Sequence, residues 1–172
     1  MISFKNKYFL IIESIKDIDL SNIKISNKFI IIYRNKKIID DIDKLLQFRR
    51  YCKTKRIQFF IANNFKLMVK VNADGLYISA QNKCLNLIKF RMSNYKIIGS
   101  AHNIKEINTK ILQGCKLFIF SRLFKTAYKN KKDFMGIVRF NLFNKSSKVN
   151  LIPLGGIRLS NLNKLKTVNS NG

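Results

Sequence analysis

A repeated pattern runs through this chain: a short apolar run rich in β-branched and aromatic residues, a polar break, and then a stretch with helical periodicity. The unit recurs roughly every 20 to 30 residues, which is typical of repeated βα units. Several runs are continuously apolar, as parallel strands are when both faces of their sheet are covered. We therefore predict seven strands, at Tyr8–Ile12, Phe29–Tyr33, Ile57–Ile61, Gly75–Ile78, Lys96–Gly99, Lys116–Phe120 and Asn150–Leu154.

Apolar residues recur at helical spacing in three stretches between or after these strands. We predict amphipathic helices at Ile38–Tyr51, at Ile104–Leu112 and around Leu162–Val168. Asn103 is the expected N-cap of the second helix, and Gly114 is expected to end it. The first crossover, residues 13–28, is too weakly patterned to predict a helix.

The chain has 172 residues, 47% of them hydrophobic, which suffices for a sizeable core and excludes a largely disordered protein. Its single proline, Pro153, and the lack of a Gly/Ser-rich stretch predict no linker, so residues 1–172 are expected to form a single domain with no second domain. No apolar run approaches the roughly 18 residues that cross a bilayer, and the N-terminus has no signal-peptide pattern. We expect no membrane association and a cytoplasmic location.

The three cysteines, Cys52, Cys84 and Cys115, are widely spaced and include no CxxC pair. This spacing suggests neither a zinc site nor a disulfide framework. We expect three reduced and buried thiols.

The net charge of +25 suggests nucleic acid as a partner, because a dense positive field favours phosphate backbones. However, the lysines are spread along the whole chain instead of forming one block or stripe. Lys, Ile and Asn share A/T-rich codons, so a genome-wide base bias could supply much of the charge. We expect only non-specific binding, and a basic nucleic-acid-binding protein remains the remoter alternative.

Four segments at the ends of the later predicted strands carry the motifs of the chain. They read NADGLYI at 72–78, KIIGSAHN at 96–103, GCKLFIF running into LFKT at 114–126, and IPLGGI at 152–157. Their order and spacing resemble the thiamine-phosphate synthase/TenI family, and the resemblance covers nearly the whole chain. It implies a TIM-type (β/α) barrel with its site at the carboxyl ends of the strands.

The chain ends where the eighth strand of that family would begin, so the expected barrel is truncated before the eighth strand. Unpaired strand edges beside such a gap would favour association. A homo-oligomer, a partner strand and a fragment therefore all stay open as interpretations.

The resemblance also implies the residues of the site. His102, the only histidine, is the expected catalytic residue, because an imidazole can move a proton at neutral pH. The expected phosphate-binding residues are Gly155, Gly156, Arg34, Lys36 and Lys129, and the expected substrate-binding residues are Asn63, Ser100 and Thr126.

The function implied is a role in thiamin biosynthesis, acting on phosphorylated thiazole or pyrimidine intermediates. The synthase branch of the family, a transferase, requires Mg²⁺, but the carboxylates expected to bind it are replaced here by Asn64 and Asn82. A neutral amide is a weaker ligand for a hard cation, so we predict no metal site. The alternatives are a metal-independent thiazole tautomerase, which is an isomerase, and a non-catalytic member that binds a related ligand.

Overall fold

A computed structural model describes residues 7–24, 26–35, 40–85, 95–126 and 134–170 of the chain. The described residues form one seven-stranded sheet in the order β1 to β7, and every neighbouring pair is parallel. The strands are β1 (Tyr8–Ile12), β2 (Phe29–Tyr33), β3 (Gln58–Ala62), β4 (Gly75–Ile78), β5 (Lys96–Ala101), β6 (Leu117–Ser121) and β7 (Leu151–Leu154). The prediction of seven parallel strands is confirmed, and each predicted run overlaps its strand.

Both faces of the sheet are buried, which explains why the strands read as continuously apolar. Alternate residues of a strand point to opposite faces. Ile30 and Ile32 of β2 therefore pack in an inner cluster with Phe60 and Tyr77, whereas Ile31 packs on the outer side with the helices. The inner cluster contains strand residues only, so the sheet must curl until its inner side chains bury one another. This curled parallel sheet with outer helices is the TIM-type architecture, of which the described residues supply seven strands.

In the described part of the chain, four α-helices cover the outer face: α1 (Ile42–Thr54), α2 (Phe65–Lys70), α3 (Ile104–Leu112) and α4 (Ile137–Ser146). The predicted cap of α3 is confirmed, because Asn103 Oδ1 accepts a hydrogen bond from the Glu106 amide at 2.9 Å. α1 begins at Ile42 instead of Ile38, since the Asp41 side chain accepts from the amides of the first turn. Residues 36–39 lie outside the described part of the chain.

Other expectations about the outer layer need correction. The third predicted helix, after Ser160, is a 3-10 helix over Leu159–Thr167, and Leu159 at its start is 90% exposed. α2 and α4 were not among the predicted helices. The first crossover, for which no helix was predicted, contains three short 3-10 helices among its described residues.

Two of the three cysteines are placed as expected. Cys52 and Cys115 are buried free thiols, whereas Cys84 is exposed because it lies in the polar loop after β4. Within the described ranges, no helix is long and apolar enough to span a membrane.

Candidate active site at the carboxyl edge of the sheet

All seven strands run in one direction, so the residues that follow them gather at one edge of the curled sheet. Most of the predicted site residues lie at this carboxyl edge, either in the last position of a strand or in the loop directly after it. They are Arg34 after β2, Asn63 after β3, His102 after β5, Thr126 in the loop after β6, and Gly155 and Gly156 after β7. Ser100 lies within β5, two residues before His102. Lys36 and Lys129 lie outside the described residues.

His102 is held from two sides. Its backbone amide donates to Glu106 Oε2 at 2.7 Å, which ties it to the first turn of α3. Its ring nitrogen Nδ1 lies 2.8 Å from the Ser121 hydroxyl and 3.1 Å from the Ser121 carbonyl oxygen. The side chain of His102 is therefore fixed by the end of the neighbouring strand β6, although the residue is exposed.

Ser121 can hold this ring in either neutral tautomer. A carbonyl oxygen only accepts, so Nδ1–H donates to it when Nδ1 carries the proton. When Nδ1 is unprotonated, the Ser121 hydroxyl can donate to it instead. Among the described residues no group bonds Nε2, the nitrogen left to meet a ligand.

The turn after β7 can be formed only by residues that tolerate a left-handed backbone. Gly155 and Gly156 have φ values of 101° and 71°. A Cβ on Gly156 would lie 2.5 Å from the carbonyl oxygen of Phe124 and 2.6 Å from that of Lys125, so no side chain fits there. Bare glycine amides in a tight turn can approach an anion closely.

The loop after β6 packs directly on this turn. The Leu123 amide donates to the Leu154 carbonyl at 2.9 Å, and the Phe124 amide donates to the Gly155 carbonyl at 3.0 Å. The Arg122 side chain lies beside Gly155, and its guanidinium donates to Thr126 Oγ1 at 3.1 Å. Arg122 thus packs the first carbons of its side chain on the glycine turn while its guanidinium bonds the same loop at Thr126, a placement that the sequence does not indicate.

Asn63 uses its side chain to join the ends of two strands. Its φ is 56°, a left-handed conformation that asparagine tolerates better than most residues. Its Oδ1 accepts from the Ser79 amide at 3.0 Å and from Asn82 Nδ2 at 3.2 Å, while its Nδ2 donates to Ser79 Oγ at 3.0 Å. Asn63 therefore fixes the loop after β4, and its contact with a substrate stays a prediction.

Asn64 and Asn82, which stand where the family's metal-binding carboxylates are expected, both have structural partners. Asn64 Oδ1 caps α2 by accepting from the Leu67 amide at 2.9 Å. Asn82 Oδ1 accepts from the Cys84 amide at 2.9 Å. Neutral oxygens that already accept hydrogen bonds do not fit a Mg²⁺ site, which favours charged oxygen ligands.

Ser100 lies inside the curl of the sheet, where it hydrogen-bonds Tyr77. Burial raises the pKa of the Tyr77 hydroxyl, and the positive charge of Arg34 acts in the opposite direction. Because Arg34 follows Ile30 and Ile32 at two-residue steps, it belongs to the inner side of the sheet. The inner side of the sheet therefore carries three polar side chains near its carboxyl edge, those of Arg34, Tyr77 and Ser100.

Sequence reasoning missed Tyr77, Ser79, Ser121 and Arg122 as members of this edge. Tyr77 lies next to the end of a predicted strand and the other three lie within two residues after one, so their position could have indicated them. The contacts of Tyr77, Ser79 and Ser121 join different strands, so these partners could not have been predicted. Arg122 bonds Thr126 within its own loop.

The fold and the edge together define a class: a (β/α) barrel protein with a glycine turn and one ordered histidine at the same edge of the sheet. The family model described as thiamine monophosphate synthase matches residues 21–172. The chain belongs to this family.

Known proteins of the same kind resemble the chain over most of its length. It is 28% identical over 139 residues to the thiamine-phosphate synthase of one Prochlorococcus marinus strain, covering 79% of this chain and 40% of that protein. It is 28% identical over 153 residues to that of Pelagibacter ubique, covering 86% of this chain and 73% of the relative. The chain thus spans well under half the length of the Prochlorococcus relatives, at 40% and 36%.

A solved structure supports the fold. The thiamine phosphate pyrophosphorylase from Pyrococcus furiosus superposes with a TM-score of 0.70 at 18% identity, covering 98% of this chain and 84% of that one.

Proposed function

We propose that this protein acts on a phosphorylated thiazole or pyrimidine intermediate of thiamin synthesis, with the phosphate at Gly155 and Gly156 and with His102 moving a proton. The observation that carries the proposal is the bond between the His102 ring and Ser121. Ser121 pairs with Leu154, the residue before the glycine turn. The His102 ring, after β5, and the proposed phosphate-binding turn, after β7, are therefore separated by the single strand β6.

His102 would act as a general base through Nε2 and return the proton to another atom of the same substrate. In an isomerisation of this kind the ring gains and loses one proton in each turnover. A base at Nε2 requires Nδ1 to keep its proton before and after the transfer, and the Ser121 carbonyl can accept from Nδ1–H in both stages. Arg34 and Arg122 would supply the positive charge that an anionic substrate needs.

The contacts of Asn64 and Asn82 favour the metal-independent branch of the family. Synthase chemistry in this family requires Mg²⁺ to assist the loss of pyrophosphate, and these two amides do not fit that ion. We therefore propose an isomerase that shifts a proton on a thiazole phosphate. The relatives are named thiamine-phosphate synthases, which supports a role in thiamin synthesis. A cytoplasmic location stays a prediction.

The test is turnover of a thiazole phosphate by the unmodified protein and by His102→Asn. We expect the substitution to lower the isomerisation rate about a hundredfold or more, because it removes the base. Binding should remain nearly unchanged, since the phosphate is held elsewhere. Lys105→Met, which alters an exposed lysine of α3, is the matched control and should keep full activity.

Equal rates in the unmodified protein and His102→Asn would contradict the proposed role of His102. Binding without turnover in either protein would instead favour a non-catalytic member of the family.

A further inference from the structure

A fully buried lysine lies behind the candidate active site. Lys110, in the last turn of α3, and Gln113, just after it, are both 0% exposed. Within the described ranges the one ion pair joins Arg49 to Asp74 at 2.8 Å, so Lys110 has no carboxylate partner there. A buried ammonium group is destabilising unless hydrogen bonds replace its hydration.

The hydrogen bonds of this pair converge on the loop after β4. Lys110 Nζ donates to the Asn82 carbonyl at 2.5 Å and to Gln113 Oε1 at 2.8 Å. Gln113 Nε2 donates to the carbonyls of Asn82, at 3.0 Å, and Cys84, at 2.9 Å. Two side chains, one in the last turn of α3 and one just after it, therefore hold two backbone carbonyls of the loop after β4.

The same loop reaches the site on its other side. Asn82 Nδ2 donates to Asn63 Oδ1, and Asn63 in turn bonds both the amide and the hydroxyl of Ser79. A continuous chain of hydrogen bonds thus runs from Lys110 to the carboxyl ends of β3 and β4. The first turn of the same helix holds His102 through Glu106.

The sheet makes room for this arrangement at Gly99. A Cβ on Gly99 would lie 3.1 Å from the Cβ and Cγ atoms of Lys110 and 2.8 Å from Cys115 Sγ. Burial lowers the pKa of Lys110, while Cys115 and Glu106 act in the opposite direction.

We propose that Lys110 and Gln113 are positioning residues that hold loop 79–85 at the site, in a chain whose Asn64 and Asn82 do not fit a metal ion. The order of the loop then depends on the hydrogen bonds that Lys110 and Gln113 donate to it. This inference rests on the proposed function for its ligand, but its effect on the loop can be measured without one.

Two variants separate positioning from general stability. Lys110→Met keeps the apolar stem and removes the donors. Gln113→Glu keeps an acceptor for the Lys110 ammonium but removes both donors to the loop, and its carboxylate would repel the carbonyls of Asn82 and Cys84. Lys105→Met on the exposed side of α3 is the matched control.

The measurements are hydrogen exchange of the amides in loop 79–85 and calorimetric titration with a thiazole phosphate, at a temperature where each variant is fully folded. We expect Lys110→Met and Gln113→Glu to accelerate exchange in this loop tenfold or more and to weaken binding by a similar factor. Lys105→Met should change neither.

Unchanged exchange in Gln113→Glu and Lys110→Met would overturn the proposal. So would accelerated exchange combined with unchanged binding, because the loop would then move without affecting the site. If the unmodified protein binds no thiazole phosphate, the proposed function fails, and accelerated exchange in both variants would still support the loop contact.

Discussion

At the scale of single residues, Cys52 and Cys115 make the stability of this protein sensitive to alkaline pH. Burial raises the pKa of each thiol from its usual 9.0 to about 12. The unfolded chain therefore loses these protons at a lower pH than the folded chain, and stability falls as the pH rises above 9. At pH 10 each thiol should lower the free energy of unfolding by about 1.4 kcal/mol relative to pH 8.

Urea unfolding at pH 8 and pH 10 tests this prediction. Cys52→Ala and Cys115→Ala should each show a smaller loss of stability between the two pH values than the unmodified protein. Cys84→Ala should show the same loss, because Cys84 is exposed. An equal pH dependence in all four proteins would refute the assignment.

Individual residues also show which parts of the site could be predicted from the sequence and which could not. His102 could be predicted because it is the only histidine and follows a strand. Its partner Ser121 could not, since the contact depends on the register of β5 and β6. The burial of Lys110 could not be predicted for a different reason. A lysine on a helix is normally exposed, and only the packing of this one over Gly99 shows that it is buried.

At the scale of elements, the strands were predictable and the short helices were not. Burial on both faces gives β2 and β6 continuous apolar runs. α2 has only six residues, too few for a periodic pattern. α4 carries Val138 and Leu142 at 73% and 64% exposure, so its apolar residues do not mark one face.

The ends of β3 and β4 give a prediction about metal binding. We expect the unmodified protein to show no tight, Mg²⁺-dependent binding of pyrophosphate, because Asn64 and Asn82 are neutral. The double variant Asn64→Asp/Asn82→Asp should gain such binding by about tenfold or more, since carboxylates are the ligands that Mg²⁺ prefers. Aspartate at position 64 can still cap α2, so that helix should persist.

Calorimetry with Mg²⁺ and pyrophosphate measures this effect. Asn108→Asp/Asn163→Asp adds the same charge at exposed positions and should gain nothing. Tight Mg²⁺-dependent binding by the unmodified protein would show that other residues supply the ligands, and would restore the synthase reaction as the leading function.

At the scale of the whole molecule, the net charge of +25 is distributed unevenly. Six of the nine acidic residues lie within residues 13–43, so the rest of the chain is almost purely basic. We expect duplex DNA to bind weakly and without sequence preference, because scattered lysines contact phosphates and do not read bases. Binding should be lost as salt rises from about 50 to 200 mM.

Fluorescence anisotropy with two unrelated duplexes measures this binding. Sequence-selective, nanomolar affinity at physiological salt would contradict the expectation and favour a nucleic-acid-binding function.

The central claim is that a phosphorylated thiazole binds at the glycine turn of the carboxyl edge. Two glycines with left-handed backbones allow a matched comparison: a Cβ on Gly156 meets two backbone carbonyls, whereas a Cβ on Gly136 meets nothing within 4 Å. Both alanine variants carry the cost of a left-handed backbone, but only Gly156→Ala disturbs the turn.

Calorimetric titration with a thiazole phosphate, without Mg²⁺ and at a temperature where all proteins are folded, tests the claim most directly. We predict that the unmodified protein and Gly136→Ala bind equally, that inorganic phosphate competes, and that Gly156→Ala binds about tenfold or more weakly. Absence of binding by the unmodified protein, or equal affinity in Gly156→Ala, would contradict the account.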